Sequence, residues 1–340
     1  MVLDTLGRPM RTLRVSVTDR CNLRCHYCMP EEDYIWLPRE DLLTLEETAR
    51  LADFFGQLGV DRVRLTGGEP LLRRNLPSLV SRLAAKPWVR DLSLTTNGVL
   101  LDQAAGELRR AGLGRLTVSL DTLRGDRFAR MTRVDRLPEV LSGIDTARRV
   151  GFTGLKLDTV VTRGHNDDEI VDLVEYARTV DAEIRFIEYM DVGGATAWQP
   201  DAVVSEADML ARLADRYGTV EPVVEPGSSA PATRYRLPHG QVVGIIASTT
   251  KPFCRTCDRA RLTADGVLLL CLYAQHGTDL RRPLRAGASD ETLLQLIGAV
   301  WHGRADRGAQ ERAATRSRGA YIPLRMLKRD AHLEMHTRGG

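Results

Sequence analysis

From residue 12 onward, short runs rich in β-branched and aliphatic residues alternate with stretches of helical period. The runs are TLRVSVT (12–18), RVRLT (62–66), DLSLTTN (91–97), RLTVSLD (115–121), LKLDTVV (155–161) and EIRFIEYM (183–190), and each predicts a strand. The segments between them carry amphipathic patterns that predict helices, as in TLEETARLADFFGQLG (44–59). There Thr44 and Glu47 have capping-box spacing, and Gly59 falls where the helix would end. Six β-α repeats predict a parallel sheet with helices outside, as an open sheet or an incomplete barrel.

The pattern inside the strands chooses between these. A parallel strand covered by helices on both faces reads as a near-continuous apolar run, but most of these strands alternate. One parity carries Arg14, Ser16, Thr18, Arg62, Arg64, Thr66, Ser93, Thr95, Asn97, Thr117, Ser119, Asp121, Lys156 and Asp158. The other carries Leu13, Val15, Val17, Val63, Leu65, Leu92, Leu94, Val118, Leu120, Leu155 and Leu157. Successive side chains point to opposite faces, so the polar residues share one side of the sheet. A polar inner face suits a large, charged ligand. The expected fold is therefore α/β, an incomplete (β/α)6 TIM-like barrel.

After Met190 the pattern changes. DVGGATAWQP (191–200) predicts a loop, SEADMLARLADRYG (205–218) a capped helix and EPGSSAPA (225–232) a linker. TRYRLPHGQVVGIIAS (233–248) and RARLTADGVLLLCLY (259–273) read as hairpins, the second turning at Asp265-Gly266. A helix near 290–302 and a basic-leaning tail ending in Gly339-Gly340 follow. These shifts divide the chain into a barrel core over 1–225 and a C-terminal extension over 226–340.

Composition narrows the functional classes. The start of the chain lacks a basic segment followed by an apolar stretch, and no run of about 18 apolar residues occurs. The expected location is the cytosol, where cysteines serve as thiols or metal ligands more often than as disulfides. Lys+Arg 48 against Asp+Glu 45 gives a net charge of +3. That balance argues against a general polyanion-binding surface, hence against nucleic acid as a partner, and leaves room for a local anion site.

All six cysteines fall into two groups of three: Cys21, Cys25, Cys28 and Cys254, Cys257, Cys271. One reading is a pair of structural zinc sites, completed by His26 and His276. Iron–sulfur chemistry accounts better for the number three, because three thiolates leave one iron of a 4Fe–4S cluster open to a non-protein ligand. The first group directly follows the first strand, at the end of the sheet where barrel active sites form. Tyr27 lies between two of its members.

The spacing C-x₃-C-x-Y-C after the first strand, with TGGEP (66–70) after the second, resembles the radical S-adenosylmethionine (SAM) superfamily. C-x₂-C-x-R-x-R-x₉-C (254–271) and the terminal Gly-Gly narrow the resemblance to its GTP 3′,8-cyclase branch, which acts in molybdenum cofactor biosynthesis. The resemblance implies that Cys21, Cys25 and Cys28 hold a 4Fe–4S cluster at which SAM is reductively cleaved to a 5′-deoxyadenosyl radical. It assigns SAM contacts to Tyr27, Gly68, Ser119 and Met190. It implies a second 4Fe–4S cluster on Cys254, Cys257 and Cys271 whose open iron meets the guanine base. It assigns GTP contacts to Arg14, Arg64, Thr95, Lys156, Arg259 and Arg261, and takes Gly339 and Gly340 into the site. Arginine's planar fork suits phosphate oxygens, and the small residues of Gly67-Gly68 let backbone approach a ligand closely. An external one-electron donor and a downstream pterin-forming enzyme are implied partners, and a homodimer is compatible with the resemblance. Two alternatives stay open at this point: a radical SAM peptide maturase with an auxiliary cluster, and a non-enzymatic zinc adaptor.

Overall fold

Leu13 and Val15 are removed from water while Arg14 between them is only half-buried, and the same alternation recurs from strand to strand. The computed structural model describes residues 1–225, 227–315 and 318–339. Its first six strands are β1 (Thr12–Ser16), β2 (Arg62–Thr66), β3 (Asp91–Thr96), β4 (Arg115–Ser119), β5 (Leu155–Val161) and β6 (Ala182–Glu188). They pair in parallel and in chain order. Helices α1 (Leu45–Gln57), α2 (Leu76–Ala84), α3 (Leu101–Arg110), α4 (Gly125–Thr132), α5 (Leu137–Arg149), α6 (Ile170–Thr179) and α7 (Glu206–Tyr217) follow them. The aliphatic parity joins these helices in one core, in which Leu65, Leu94, Val118 and Leu157 are fully buried. Each such side chain contributes about 1.5–3 kcal/mol.

The local signals behave as their chemistry dictates. Thr44 Oγ1 accepts from Glu47 N at 3.0 Å, and Glu47 Oε2 accepts from Thr44 N at 2.8 Å. Ser205 and Asp208 close a second capping box at the start of α7. Gly59 ends α1 with φ +114, a conformation glycine alone adopts without strain.

The remaining strands are β7 (Glu221–Val223), β8 (Thr233–Arg236), β9 (Val242–Ile246), β10 (Arg259–Leu262), β11 (Val267–Leu269) and β12 (Thr278–Asp279). Both hairpins form, β8 with β9 and β10 with β11. Their placement was not visible in the sequence: β9 lies parallel against β6, and β10 lies parallel against β1. One twelve-stranded sheet results, in the order β12-β11-β10-β1-β2-β3-β4-β5-β6-β9-β8-β7. The edges of a partial barrel present unpaired backbone groups, and residues after 230 cover both. The register also sets Arg261 beside Arg14, Arg14 beside Arg64, and Arg64 beside Ser93 across four neighbouring strands.

Helices α8 (Arg281–Arg285) and α9 (Asp290–His302) follow, and α9 packs on α1. Among the described residues, no helix is long and apolar enough to cross a membrane.

Candidate active site

The polar strand faces enclose a chamber of about 660 Å³ that runs from the first residues of the strands (Thr12, Arg62, Asp91, Arg115) to the loops after them, and both cysteine groups open into it. Arg14, Arg64, Thr95, Lys156, Arg259 and Arg261 line its walls, as do Tyr27, Gly68, Ser119 and Met190. Gly339 reaches Arg14 and Arg261. Gly340 lies outside the described residues.

The first thiol group sits on the loop after β1. Cys21 Sγ accepts from Leu23 N at 3.5 Å, and Asn97 Nδ2 lies 3.9 Å from it while donating to Asn22 Oδ1 at 2.8 Å. Tyr27 donates its hydroxyl to Asp121 Oδ2 at 2.7 Å, and the other Asp121 oxygen accepts from Val160 N at 2.9 Å. The ring between two thiols is thereby tied to β5. Burial raises the Asp121 carboxyl to about 6 and the Cys21 thiol to about 11; Cys25 and Cys28 are pushed up as well, again mainly by burial.

This donor set fits a cluster better than a zinc ion. His26 stacks against His165 with ring centroids 4.6 Å apart, its two ring nitrogens are buried without partners, and burial lowers it to about 4. His276 is exposed. Among the described residues, no three His, Cys, Asp or Glu side chains close around a single-ion position, which is what a tetrahedral zinc site requires. Three soft thiols facing a chamber, with no fourth such ligand grouped with them among the described residues, suit an iron–sulfur cluster with one open iron.

Gly67 and Gly68 line the chamber, and their lack of side chains also lets the cysteine loop pass close behind them. A Cβ on Gly68 would lie 2.6 Å from Asp19 O and against Arg20 O, and one on Gly67 would lie 2.5 Å from Thr18 O. Gly68 N donates to Thr18 O at 2.8 Å, and Glu69 N to Arg20 O at 2.7 Å. Those amides hold the cysteine loop rather than being turned towards a ligand. Glu69 is fully buried and accepts from Thr96 Oγ1 at 2.7 Å, Asn97 N at 2.7 Å and Leu71 N at 2.9 Å. Burial outweighs these donors and raises its carboxyl to about 7. TGGEP thus clasps the ends of three neighbouring strands.

In the second thiol group burial raises Cys271 as well, but Cys257 goes the other way. Cys254 and Cys257 bracket a turn before β10, and Cys271 follows β11. Cys257 Sγ accepts from Arg259 Nη2 at 3.3 Å and from Arg304 Nη2 at 3.3 Å. Burial raises this thiol, but the two guanidinium groups together outweigh burial and bring it down to about 6.

The arginines crowd one another. Arg14 is lowered well below its ordinary range by burial and then by Arg261, Arg64 and Arg259; burial brings Arg261 to about 10. Arg64 Nη1 donates to Thr95 Oγ1 at 2.9 Å and Thr117 Oγ1 at 3.1 Å. Lys156 Nζ lies 3.9 Å from Glu183 Oε1, and burial takes it down to about 8. Cations gathered out of water in this way are arranged for an anion. The tail enters among them: Gly339 O accepts from Arg14 Nε at 3.0 Å and from Arg261 Nη1 at 2.9 Å.

Asn97 and Asp121 were legible on the polar parity but not as groups that fix the first thiol loop. Arg185 of β6 also lines the chamber; its place beside Asp158 was readable only once the register of β5 and β6 was known. Arg304 had no spacing signal at all.

Residues 15–177 match the radical SAM superfamily, and residues 182–310 match Molybdenum Cofactor Synthesis C. The crystal structure of SuiB from Streptococcus suis bound to S-adenosylmethionine superposes with a TM-score of 0.61 at 16% identity, covering 92% of this chain and 69% of SuiB. At that identity the likeness concerns the fold. The class is a radical SAM enzyme, which brings a 4Fe–4S cluster and SAM as cofactors. GTP 3′,8-cyclase 1 of Mycobacterium tuberculosis is 54% identical over 343 aligned positions, covering 100% of this chain and 95% of the relative. GTP 3′,8-cyclase of Acidothermus cellulolyticus is 48% identical over 323 positions, covering 92% and 89%. The chain belongs to the GTP 3′,8-cyclase family.

Proposed function

We propose that this protein is a radical SAM GTP 3′,8-cyclase whose chamber holds SAM at one end and GTP at the other. One observation carries the reading: a three-thiol loop after β1 opens into the same chamber as the registered row Arg261, Arg14 and Arg64. Cys21, Cys25 and Cys28 hold the cluster, and Tyr27, Gly68, Ser119 and Met190 contact SAM. Bound there, these cofactors supply a 5′-deoxyadenosyl radical. Arg14, Arg64, Arg259 and Arg261 hold the triphosphate as a multidentate anion, and Thr95 and Lys156 contact the rest of the nucleotide. Cys254, Cys257 and Cys271 hold a second 4Fe–4S cluster that orients the guanine base.

With both ends of GTP fixed, C3′ of the ribose faces the SAM end. Its hydrogen atom leaves to make 5′-deoxyadenosine, and C3′ bonds to C8 of guanine. One electron and one proton then complete (8S)-3′,8-cyclo-7,8-dihydroguanosine 5′-triphosphate, the first product of molybdenum cofactor biosynthesis. Near-attack geometry in an enclosed site protects the radical steps from side reactions. The electron comes from an external donor, and a downstream pterin-forming enzyme takes the product; the chain acts in the cytosol, alone or as a homodimer. The division at 225/226 separates the radical SAM core with the first cluster from the extension that carries the second cluster and the Gly-Gly tail. Full-length relatives named as cyclases support this over the peptide-maturase alternative, for which a fold likeness at 16% identity carries no activity.

The test pairs two variants. Anaerobic Cys25→Ala loses iron and all SAM cleavage, whereas Cys257→Ala loses iron but still cleaves SAM without cyclising GTP. Loss of SAM cleavage in both, with the first cluster intact in each, contradicts the division of duties.

A further inference from the structure

The loop that carries Cys254 and Cys257 is clamped by groups from the two ends of the fold. Arg304, just past α9, is 1% exposed at its side chain. Its Nη1 donates to Cys257 O at 2.8 Å and its Nη2 to Cys257 Sγ at 3.3 Å. Its guanidinium rests on the Trp301 ring, 4.6 Å from the centroid. Thr5 fastens the same residue, donating to Arg304 O through its hydroxyl at 2.7 Å and its amide at 3.2 Å. Arg8 completes the clamp by donating through Nη1 to Cys254 O at 2.9 Å and Asp306 O at 2.8 Å.

The charges do not form a simple pair. Asp4 is buried and is already satisfied by Arg8 Nε at 2.5 Å and by the amides of Leu6 and Arg8, each at 2.9 Å. Arg304 Nη1 is 3.5 Å from Asp4 Oδ2, and its Nε is 3.6 Å from Asp306 Oδ2. A guanidinium present only to neutralise Asp4 has no reason to aim a second amino group at a sulfur. Arg259 also donates to that sulfur, but it lines the chamber and is assigned above to GTP. Arg304 is buried and, unlike Arg259, does not line the chamber, so nucleotide does not compete with the sulfur for it.

We propose that Arg304 is a positioning residue for the second iron–sulfur cluster: it fixes the Cys257 ligand and raises the cluster's reduction potential through its bond to the ligand sulfur. The inference rests on the second cluster proposed above. Reduction adds negative charge to a cluster, and a buried cation donating to a ligand sulfur stabilises the reduced form. Sequence could not disclose the residue, because it is separated from Cys257 by 47 positions and belongs to no motif.

The test uses the full chain with Cys21, Cys25 and Cys28 changed to Ala, reconstituted anaerobically so that only the second cluster is present. Iron and sulfide are counted, and the cluster is titrated potentiometrically by electron paramagnetic resonance. The parent is expected to hold about four irons per chain. Arg304→Gln keeps the cluster and is harder to reduce by roughly tenfold in equilibrium constant, about 59 mV for one electron. Arg304→Lys, which keeps charge but loses the fork, moves the same way by more than twofold and decides the question if the Gln variant does not fold. A constant within twofold of the parent in the cluster-bearing variant overturns the inference. A parent that binds no cluster overturns the second-cluster reading itself, which is a different result in a different protein.

Discussion

Arg261 Nη1 and the carbonyl oxygen of Gly339 are 2.9 Å apart inside the chamber, although 78 residues separate them in the chain. The same carbonyl accepts from Arg14 Nε at 3.0 Å. Two guanidinium groups assigned to a triphosphate thus have a backbone acceptor from the tail, and the tail and the nucleotide meet at the same donors.

Replacing Arg261 by Ala is expected to weaken GTP binding with iron content unchanged. A charge-assisted contact is worth about 1.5–3 kcal/mol, roughly 10- to 100-fold in affinity. Lysine rescues poorly because it lacks the fork. Calorimetric titration of GTP into cluster-replete protein checks this; wild-type affinity in Arg261→Ala removes the residue from the phosphate site.

Gly339 is held at φ +64, and a Cβ there would strike Thr66 Oγ1. Gly339→Ala therefore carries about 1–2 kcal/mol of left-handed backbone strain, with a clash added. Cyclisation should fall while both clusters load normally, as measured by turnover per iron-replete chain. Undiminished turnover in this variant means that the tail has no part in the reaction.

The tail is fastened by a clasp that titrates. His332 Nε2 lies 2.8 Å from Asp265 Oδ2 and its Nδ1 2.9 Å from Asp330 Oδ1, while its carbonyl accepts from Arg338 Nε at 2.5 Å. The bond and charge of Asp265 raise His332 above its ordinary 6.5. Burial raises Asp265, but His332 outweighs burial and holds it low. A raised histidine contributes stability that is complete below pH 6.5 and is lost as pH rises through its folded value. Asp265 contributes above its ordinary 3.8, and its share is lost only as pH falls through the lowered value. Hydrogen exchange of the tail should accelerate, beyond the intrinsic base dependence, as pH rises above 6.5 and through the raised value of His332. His332→Gln should flatten that excess; an identical excess in the variant rules the clasp out.

The chamber was largely legible because a strand's side-chain period is 2 and admits no drift. Once Leu13, Val63 and Leu94 were apolar, Arg14, Arg64 and Thr95 had to face the other way. The two thiol groups were legible through spacing within single loops. What the chain did not disclose depends on contacts between distant backbones. Nothing in VVGII or RARL says which barrel edge each hairpin will cover, since edge pairing uses amides and carbonyls common to every residue. Gly67 and Gly68 line the chamber as their motif implies, but the sequence does not disclose that they also make room for Thr18, Asp19 and Arg20. Asp4, Arg8 and Arg304 come together only when the first ten residues close against the end of α9.

The most direct measurement follows one atom. GTP deuterated at C3′ is incubated anaerobically with cluster-replete protein, SAM and a reductant, and the products are read by mass spectrometry. If the chamber places C3′ at the SAM end and C8 within bonding reach, the label appears in 5′-deoxyadenosine, matched by an equal amount of cyclised nucleotide triphosphate that has lost it. Unlabelled 5′-deoxyadenosine, or labelled 5′-deoxyadenosine with no cyclised product, contradicts that placement.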